Sequence, residues 1–306
     1  MDSASNQRPE GAVEMPEVAA LEPGQIARRS GSSFLVSFSA LAPDRAAALT
    51  AIYAFCRVVD DAVDDAIDAT TAAAELAFWR DELERAAAGA PRSAVGHALR
   101  EAVHELGVQP RWLHNVVDGV AADLQPVDLA TVAELERYCF LVAGSVGLAC
   151  LPVFGVSEQE GERYAIELGH ALQLTNVLRD LATDARLGRV YAPLDLRQRH
   201  GVEADWLAGG GPADVYVAGG PVARLATDLA ERAEARFAAA ASAATGPPDL
   251  QNQLLPAEIM GAVYHELLVR LAKRGGSICV SPRVRVPRWR KLWIATAARR
   301  RARSSR

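Results

Sequence analysis

The 306-residue chain lacks the sequence patterns that identify several common classes of protein. Its four cysteines include no Cys-x-x-Cys pair, and each lies beside apolar residues, which argues against disulfides and favours a reducing cytoplasm. Its six histidines form no His-Glu-x-x-His motif, so we expect no zinc site. The chain also has no dinucleotide fingerprint, P-loop or Gly-x-Ser-x-Gly turn, and therefore no recognisable NADPH motif and no serine nucleophile of that type.

Residues that favour β-strands are scarce as well. Aromatic residues make up 6% of the chain, alanine is abundant, and glycine and proline mostly stay outside the long periodic segments. Half of the residues are apolar, which is enough for a large core. The composition therefore predicts an all-α protein, built as one large domain or two small ones.

Charge is distributed unevenly along the chain. The net charge is −5, but residues 283–306 hold ten of the 33 basic residues and no acidic residue. The remaining 23 basic residues, set against 38 acidic ones, leave residues 1–282 at −15. We therefore predict a disordered polar leader (residues 1–24), a helical domain (25–282) and a basic tail (283–306). The leader has early acids and prolines, and we do not expect it to be a signal peptide.

The basic tail carries Trp289, Leu292 and Trp293 among its arginines. Three interpretations are open for it. It could be an interfacial helix that makes peripheral contact with an anionic membrane on the cytoplasmic side, or a nucleic-acid-binding segment, or a segment that packs back on the acidic body. The acidic body opposes nucleic acid, so we expect no nucleic-acid partner.

Apolar residues recur at helical spacing over most of the domain. Pro43 suits the first turn of a helix, and Ser157 with Glu160 forms a capping box at the start of another. The glycine-rich residues 207–220 predict a flexible loop, potentially a lid. Predicted helices cover residues 43–65, 71–88, 92–106, 111–124, 131–151, 157–188, 221–244 and 256–274.

Residues 139–157 contain no charge and approach the length of a membrane span. Gly144, Gly147 and Pro152 interrupt this segment, and the chain has no second one like it. We therefore predict the central helix of a soluble bundle. The small residues at 142–147 would let another helix, or a long hydrocarbon ligand, come close.

Three oxygen-bearing side chains recur at the i, i+4 and i+8 positions of one predicted helix: Asn176, Asp180 and Asp184. This spacing places them on one helix face, about 6 Å apart per step. A solvated helix face is the simplest interpretation, but the flanking leucines and valines leave this helix little other polar surface. A bound Mg²⁺ explains the pattern better, because that ion prefers oxygen and is usually held by one or two carboxylates together with substrate phosphates.

A second acidic cluster closes the helix that begins at Pro43. Asp60 and Asp64 share a face there, while Asp61 and Asp65 are rotated away from it. Carboxylates late in a helix oppose the helix dipole, a local conflict expected at functional sites, although a solvated acidic run is the alternative. Asp118 and Asp123, on a neighbouring helix, are predicted to be surface or helix-cap residues.

A basic and phenolic patch follows the first acidic motif, with Arg186, Arg189 and Tyr191 just beyond the predicted helix end. Arginine binds phosphate through paired hydrogen bonds, although surface arginines would give the same pattern. Two acidic faces, arginines and an apolar helical interior together indicate an apolar substrate that carries a diphosphate. Mg²⁺ would neutralise the leaving diphosphate, and a dry cavity would protect the allylic cation. One proton must then be removed by a tyrosine, a carboxylate or the released diphosphate.

Four segments resemble the conserved blocks of the squalene/phytoene synthase family, in the same order along the chain. They read SSF at 32–34, YAFCRVVDDAVDD at 53–65, YCFLVAGSVG at 138–147 and QLTNVLRDLATDARLGRVYAP at 173–193. The resemblance spans about residues 25–294. It implies an isoprenoid-synthase fold, a single helical bundle around a central apolar cavity, and head-to-head joining of two prenyl diphosphates. Thr183 departs from the family, where an acid is common.

The resemblance also implies roles for individual residues. Two or three Mg²⁺ ions would be held by Asp60 and Asp64 on one side and by Asn176, Asp180 and Asp184 on the other. The diphosphate would be bound by Arg57, Arg179, Arg189 and Tyr191. The substrate cavity would be lined by Ser33, Phe34, Tyr53, Tyr138, Gln173 and Tyr264. Among these residues we expect Tyr53, Arg57, Asp60, Asp64 and Asp180 to act in catalysis.

The closing region, PAEIMGAVY at 256–264 and RVRVPRWRKLW at 283–293, looks most like that of bacterial presqualene diphosphate synthases of hopanoid pathways, which join two farnesyl diphosphates. Phytoene and dehydrosqualene synthases of carotenoid pathways share every catalytic motif, so they remain alternatives. A third alternative is a silent helical partner of a sister synthase. The first reading needs no NADPH and passes its product to a downstream isoprenoid enzyme.

Overall fold

The computed structural model describes residues 15–29 and 41–304. These residues form a helical bundle, and the only strands among them are β1 (Val127–Asp128) and β2 (Arg189–Val190), which pair in parallel. The all-α prediction is confirmed. The helices are α1 (Pro23–Arg29), α2 (Pro43–Asp64), α3 (Ala69–Ala87), α4 (Ala94–Leu106), α5 (Pro110–Ala121), α6 (Val132–Cys139), α7 (Ser145–Phe154), α8 (Glu158–Arg186), α9 (Leu194–His200), α10 (Ala204–Leu207), α11 (Pro221–Ala243), α12 (Pro248–Arg274) and α13 (Arg288–Ser304).

Local sequence signals set most helix boundaries. Pro43 lies in the first turn of α2, and Ser157 caps α8 by accepting a hydrogen bond from the backbone N–H of Glu160 at 3.3 Å. The hydroxyl of Ser157 donates in turn to the Glu160 carboxylate at 2.6 Å, so the predicted N-cap is confirmed and its two residues are bonded to each other. α4 ends at Gly107 in the left-handed conformation (φ 78°), which glycine adopts without steric cost.

Helix α8 is the central element of the bundle. Its first half packs with α2, α5 and α7 in one apolar cluster, and its second half packs with α11 and α12 in another. As a result, the face that carries the acidic motif is held between two cores.

The small residues of α7 and the preceding turn allow α8 to come unusually close. A Cβ built on Gly169 would lie 2.6 Å from the backbone nitrogen of Gly144, and one built on Gly147 would lie 2.7 Å from the carbonyl oxygen of Ala165. Backbone atoms cannot move aside as a flexible side chain can. The predicted close approach of a second helix at residues 142–147 is therefore confirmed.

We expect Gly169→Ala to lower the free energy of unfolding by about 2–3 kcal/mol, because the added methyl group forces the two helices apart. Thermal and urea unfolding of the purified protein measure this loss. Gly261→Ala in the middle of α12 is the matched control, since its new Cβ meets only the terminal Cδ1 of Leu168, at 3.1 Å. Equal losses in the two variants would contradict the close-contact explanation.

Three boundaries differ from the sequence-based prediction. A 3₁₀ turn at Glu17–Ala20 buries Ala19 completely, so order begins before the predicted end of the leader at residue 24. α7 continues through Pro152 to Phe154, where Arg45 donates to the carbonyl of Val153 at 2.6 Å. α12 begins at Pro248 and continues through Pro256, eight residues before its predicted start.

The helix predicted over residues 131–151, which includes the start of the uncharged segment, forms α6, a π-helical turn at Phe140–Gly144, and α7. Among the described residues it is the one stretch long and apolar enough to span a bilayer, which by itself is weak support for a span. Its residues also pack against α5 and α8. This placement agrees with the predicted core helix.

Residues 207–220 form a folded connection. Tyr216 is buried, accepts a hydrogen bond from the backbone N–H of Gly211 and donates one to the carbonyl of Trp206, both at 2.8 Å. These bonds tie the segment to the end of α10, so the prediction of a flexible lid is wrong.

Part of the basic tail covers the bundle: α13 packs along α12, where Arg290 pairs with Glu266 at 3.1 Å.

Candidate active site

A cavity opens at the end of the bundle where α2 and α8 carry their acidic residues. Its outer part has a volume of about 800 Å³ and is lined by polar groups that include Arg57, Asp60 and Arg179. An inner part of about 200 Å³ is lined mainly by apolar side chains. The two parts share six lining residues and are therefore continuous: Tyr53, Cys56, Val142, Gln173, Asn176 and Tyr264.

The oxygen-bearing residues Asn176, Asp180 and Asp184 all lie on α8, as predicted. The amide of Asn176 donates to the side chain of Gln173 at 3.2 Å, while its Oδ1 atom is buried and has no hydrogen-bond partner among the described residues. A buried acceptor without a partner is costly unless a ligand satisfies it. Asn176 therefore presents a free oxygen where the two parts of the cavity meet.

The acidic end of α2 lies opposite. Arg57 pairs with Asp60 at 3.3 Å and also with Asp61, which is rotated away from the predicted ligand face. Asp60 lines the outer cavity, and its side chain is 53% exposed. Asp64 lies one turn further along and pairs with Arg189, from strand β2, at 2.5 Å.

The two acidic motifs face each other across Arg189. Burial and the charge of Asp180 raise the pKa of Asp184, Arg189 opposes that rise, and the charge of Asp64 on the other motif adds to it. The pairing of β1 with β2 holds Arg189 in place, since β2 directly follows the end of α8. The structure therefore brings together the two motifs that the sequence separates by more than 100 residues.

Two of these carboxylates resist ionisation. Burial, followed by the charge of Asp64, raises the pKa of Asp60 to about 7. Burial, followed by the charge of Asp180, raises the pKa of Asp184 to about 7. Carboxylates held close together in this way gain from a cation placed among them.

Asp180 behaves differently because two arginines hold it. Burial would raise its pKa, but hydrogen bonds from Arg179 and Arg283 outweigh burial and lower it. Arg283 makes a two-pronged contact, with Nε and Nη2 each 2.7 Å from a carboxylate oxygen. Arg283 comes from the basic tail, so part of the tail belongs to the site.

The raised pKa of Asp184 has a consequence for stability. In the unfolded chain this carboxyl titrates near pH 4, so the folded protein holds the extra proton between about pH 4 and pH 7. Stability contributed by the site therefore falls as pH rises through this window, and the penalty persists above pH 7.

We expect Asp184→Asn to stabilise the metal-free protein at pH 8 by about 1 kcal/mol, with little effect at pH 5. Thermal unfolding in EDTA at the two pH values measures this difference. Asp118→Asn, which alters a half-exposed carboxylate paired with Arg80, serves as the control. Destabilisation of Asp184→Asn at pH 8 would count against the electrostatic explanation.

The remaining predicted residues surround the same cavity. Tyr53, Tyr138, Gln173 and Tyr264 line it, and the ring of Tyr191 stacks on Tyr138 with centroids 4.7 Å apart. Ser33 and Phe34 lie outside the described residues.

The sequence-based prediction missed two residues at the site. Asp123 was assigned to the surface or a helix cap, but it accepts a hydrogen bond from the Tyr138 hydroxyl at 3.2 Å and raises the pKa of Asp60. Arg283 was assigned only to the tail. Neither belongs to a periodic motif, so no local pattern identifies them.

The donor set fits Mg²⁺ shared with a substrate. No three His, Cys, Asp or Glu side chains in the described ranges converge closely enough to hold a metal ion alone. Two carboxylate pairs lie on facing helices, and the Oδ1 atom of Asn176 is buried nearby without a hydrogen-bond partner among the described residues. Such a set of oxygens suits Mg²⁺ ions that complete their coordination with phosphate oxygens. Asp60, Asp64, Asn176, Asp180 and Asp184 are the residues that would hold them.

Comparison with known proteins gives consistent matches. The family model for squalene/phytoene synthase matches residues 27–290. A presqualene diphosphate synthase of Rhodopseudomonas palustris is 34% identical over 249 residues, which is 80% of this chain and 85% of that protein. A phytoene synthase of Thermus thermophilus is 41% identical over 160 residues, 52% of this chain and 54% of that protein. A crystal structure of a dehydrosqualene synthase in complex with ligand superposes with a TM-score of 0.80 at 26% identity, covering 94% of this chain and 97% of that one.

Proposed function

The chain belongs to the squalene/phytoene synthase family, and from this premise we propose that it joins two farnesyl diphosphates head to head into presqualene diphosphate, releasing one diphosphate. Family membership makes it a prenyltransferase of isoprenoid biosynthesis. Presqualene diphosphate synthases of two bacteria match it over 80% or more of its length, whereas the phytoene synthase match covers about half. The product would pass to a downstream isoprenoid enzyme, as in hopanoid biosynthesis.

The observation that carries the proposal is the continuity of the two-part cavity. A diphosphate requires cations and hydrogen-bond donors, which the outer part offers through its arginines and its acidic residues. A farnesyl chain requires an apolar enclosure, which the inner part offers. Tyr53, Gln173 and Tyr264 border both parts, so the bond between the diphosphate and the farnesyl chain would lie beside them.

We assign roles on this geometry. Arg57, Arg179, Arg189 and Tyr191 bind and orient diphosphate oxygens, and the acidic residues of α2 and α8 hold the metal ions. Bound Mg²⁺ would neutralise charge on the departing diphosphate. Tyr53, Tyr138 and Tyr264, together with the apolar residues of α7, line the cavity and exclude water from the allylic cation.

A product assay tests this function. Purified protein with Mg²⁺ and labelled farnesyl diphosphate is expected to yield a C30 cyclopropyl diphosphate, at a rate that does not depend on NADPH. Addition of EDTA is expected to stop the reaction. Preference for geranylgeranyl diphosphate with a C40 product would replace the proposal, and absence of turnover on either substrate would favour a silent partner of a sister synthase.

A second candidate is dehydrosqualene or phytoene synthesis in a carotenoid pathway. The structural match to a dehydrosqualene synthase and the sequence match to a phytoene synthase favour it. The same assay separates the candidates, because dehydrosqualene and phytoene are hydrocarbons and presqualene diphosphate keeps its diphosphate.

We also propose that the enzyme is cytoplasmic and makes peripheral contact with an anionic membrane through α13. Trp289, Leu292 and Trp293 are each more than half exposed on this helix, at a spacing that places them on one face. Arg288 and Lys291 line the cavity mouth beside them. Binding to phosphatidylglycerol vesicles should exceed binding to phosphatidylcholine vesicles, and a Trp289→Ser/Trp293→Ser variant should lose it; equal binding of the variant would refute the contact.

A further inference from the structure

Asp123 is a carboxylate beside the cavity that has no assigned role in the proposed reaction. It lies in the 3₁₀ turn Ala122–Leu124 that ends α5, just before strand β1. Its Oδ2 atom accepts the hydrogen bond from Tyr138, and its Oδ1 atom is buried without a hydrogen-bond partner in the described part of the chain. Asp123 is not among the cavity-lining residues, whereas Tyr138 is. Asp123 therefore contacts the cavity through Tyr138, and Tyr191 is a second hydrogen-bond partner of its carboxyl group.

The orientation of Tyr138 is fixed from two sides. Its ring lies against the ring of Tyr191, with an angle of 25° between the two planes. Its hydroxyl carries a single proton, which it donates to Asp123. The hydroxyl oxygen also hydrogen-bonds Tyr191, which leaves it one lone pair with which to accept a hydrogen bond or a proton from a group in the cavity.

The electrostatic environment keeps this tyrosine neutral. Burial, followed by the charge of Asp123, raises the pKa of Tyr138 well above its usual value. A neutral phenol is a poor base unless its own proton leaves as the new one arrives. Burial also raises the pKa of Asp123, although Tyr191, Arg189 and Tyr138 oppose that rise and Asp64 adds to it. Asp123 is thus a buried acceptor that tolerates a proton.

We propose that Asp123 is a positioning residue which, through Tyr138, takes up the proton lost when the cyclopropane ring closes. This role rests on the proposed function. Carbon C1 of the ionised donor first bonds to the double bond of the second farnesyl diphosphate, leaving a tertiary cation. A C–H bond at the donor C1 then breaks, and its electron pair closes the three-membered ring. The proton passes to the oxygen of Tyr138, whose own proton passes to Oδ2 of Asp123.

This arrangement predicts a defect that differs from a general loss of activity. If the relay fails, the donor still ionises and couples, but the C30 tertiary cation lasts longer, so water captures it as C30 tertiary alcohols that keep the second diphosphate. Diphosphate release then exceeds presqualene diphosphate formation. A structural defect would lower both rates by the same factor.

The test compares Asp123→Asn, Tyr138→Phe, the double variant and the control Asp118→Asn, which changes an exposed carboxylate on the same helix α5. Diphosphate release and presqualene diphosphate are both quantified, using farnesyl diphosphate with and without deuterium at C1. Thermal unfolding shows which variants are folded. Asparagine keeps the size of Asp123 and its oxygen acceptor, so the fold should tolerate it.

We expect Asp123→Asn and Tyr138→Phe each to lower presqualene diphosphate formation roughly 100-fold while lowering diphosphate release far less. The deuterium effect on the ratio of product to alcohols should rise, and the double variant should be no worse than the poorer single one, because both act in one relay. Parallel loss of both rates, or an unchanged isotope effect, would overturn the relay and leave the released diphosphate as the base. A wild-type enzyme that makes no presqualene diphosphate would instead overturn the proposed function.

Discussion

Asp180→Ala is expected to lower the rate of diphosphate release by about 10³-fold or more, equivalent to at least ~4 kcal/mol of transition-state stabilisation. Hydrogen bonds from Arg179 and Arg283 outweigh burial and lower the pKa of Asp180, so its neighbours favour the ionised carboxylate. Its side chain is 14% exposed, so water replaces little of what the carboxylate provides. Removal takes away a proposed metal ligand and leaves two arginines without their shared partner.

Loss of fold could imitate this result, so a second variant is needed. Asp60→Ala alters a residue at the open cavity mouth and should reduce turnover to a similar extent with less effect on stability. Asp118→Ala should retain wild-type turnover. Circular dichroism should show the same helical signal in all three variants. Wild-type activity in Asp60→Ala or Asp180→Ala would refute the metal-ligand assignment.

Much of the fold could be predicted because the signals are local. Apolar periodicity, the proline at the start of α2 and the cap at Ser157 each act within a few residues, and each of these predictions is confirmed. The errors occurred where tertiary contacts outweigh local preference. Pro152 was predicted to end α7, but Arg45, more than 100 residues away, supplies hydrogen bonds to the carbonyls at that helix end.

The site was predictable only in part, for a similar physical reason. The i, i+4, i+8 spacing of Asn176, Asp180 and Asp184 follows from helix geometry alone, and all three lie on α8 as predicted. The contact of Asp123 with Tyr138 joins the turn that ends α5 to helix α6, and this packing has no sequence signal of its own. The contact of Arg283 depends on the tail folding back over the cavity. That folding was one of three interpretations left open by charge alone.

The position of the cavity floor follows from the four helices that line the cavity. Along α2 the lining runs from Asp60 at the mouth to Leu49, a distance of about 16 Å. From Val142, at the π-helical turn, it runs to Phe154 over about 18 Å. Tyr164 also lines the inner cavity, and its hydroxyl donates to Glu258 at 2.6 Å, which fixes that ring. Phe154, at the last residue of α7, is therefore the largest side chain at the floor that no hydrogen bond holds.

Phe154→Ala is expected to raise the ratio of kcat/KM for geranylgeranyl over farnesyl diphosphate by roughly 10- to 100-fold, since one more isoprene unit needs the volume that the phenyl ring fills. The variant should also lose about 3 kcal/mol of stability through the new cavity, and Phe154→Leu should fall between it and wild type on both measures. Phe237→Ala, which removes a partly buried ring away from the cavity, should leave the ratio unchanged. If Phe154→Ala also left the ratio unchanged, the limit on chain length would have to lie elsewhere in the inner cavity. If only the Phe154 variants change the substrate ratio, then the side chain at the end of α7 sets the preference for C15 or C20 substrates in this protein. The acidic motifs would not set that preference.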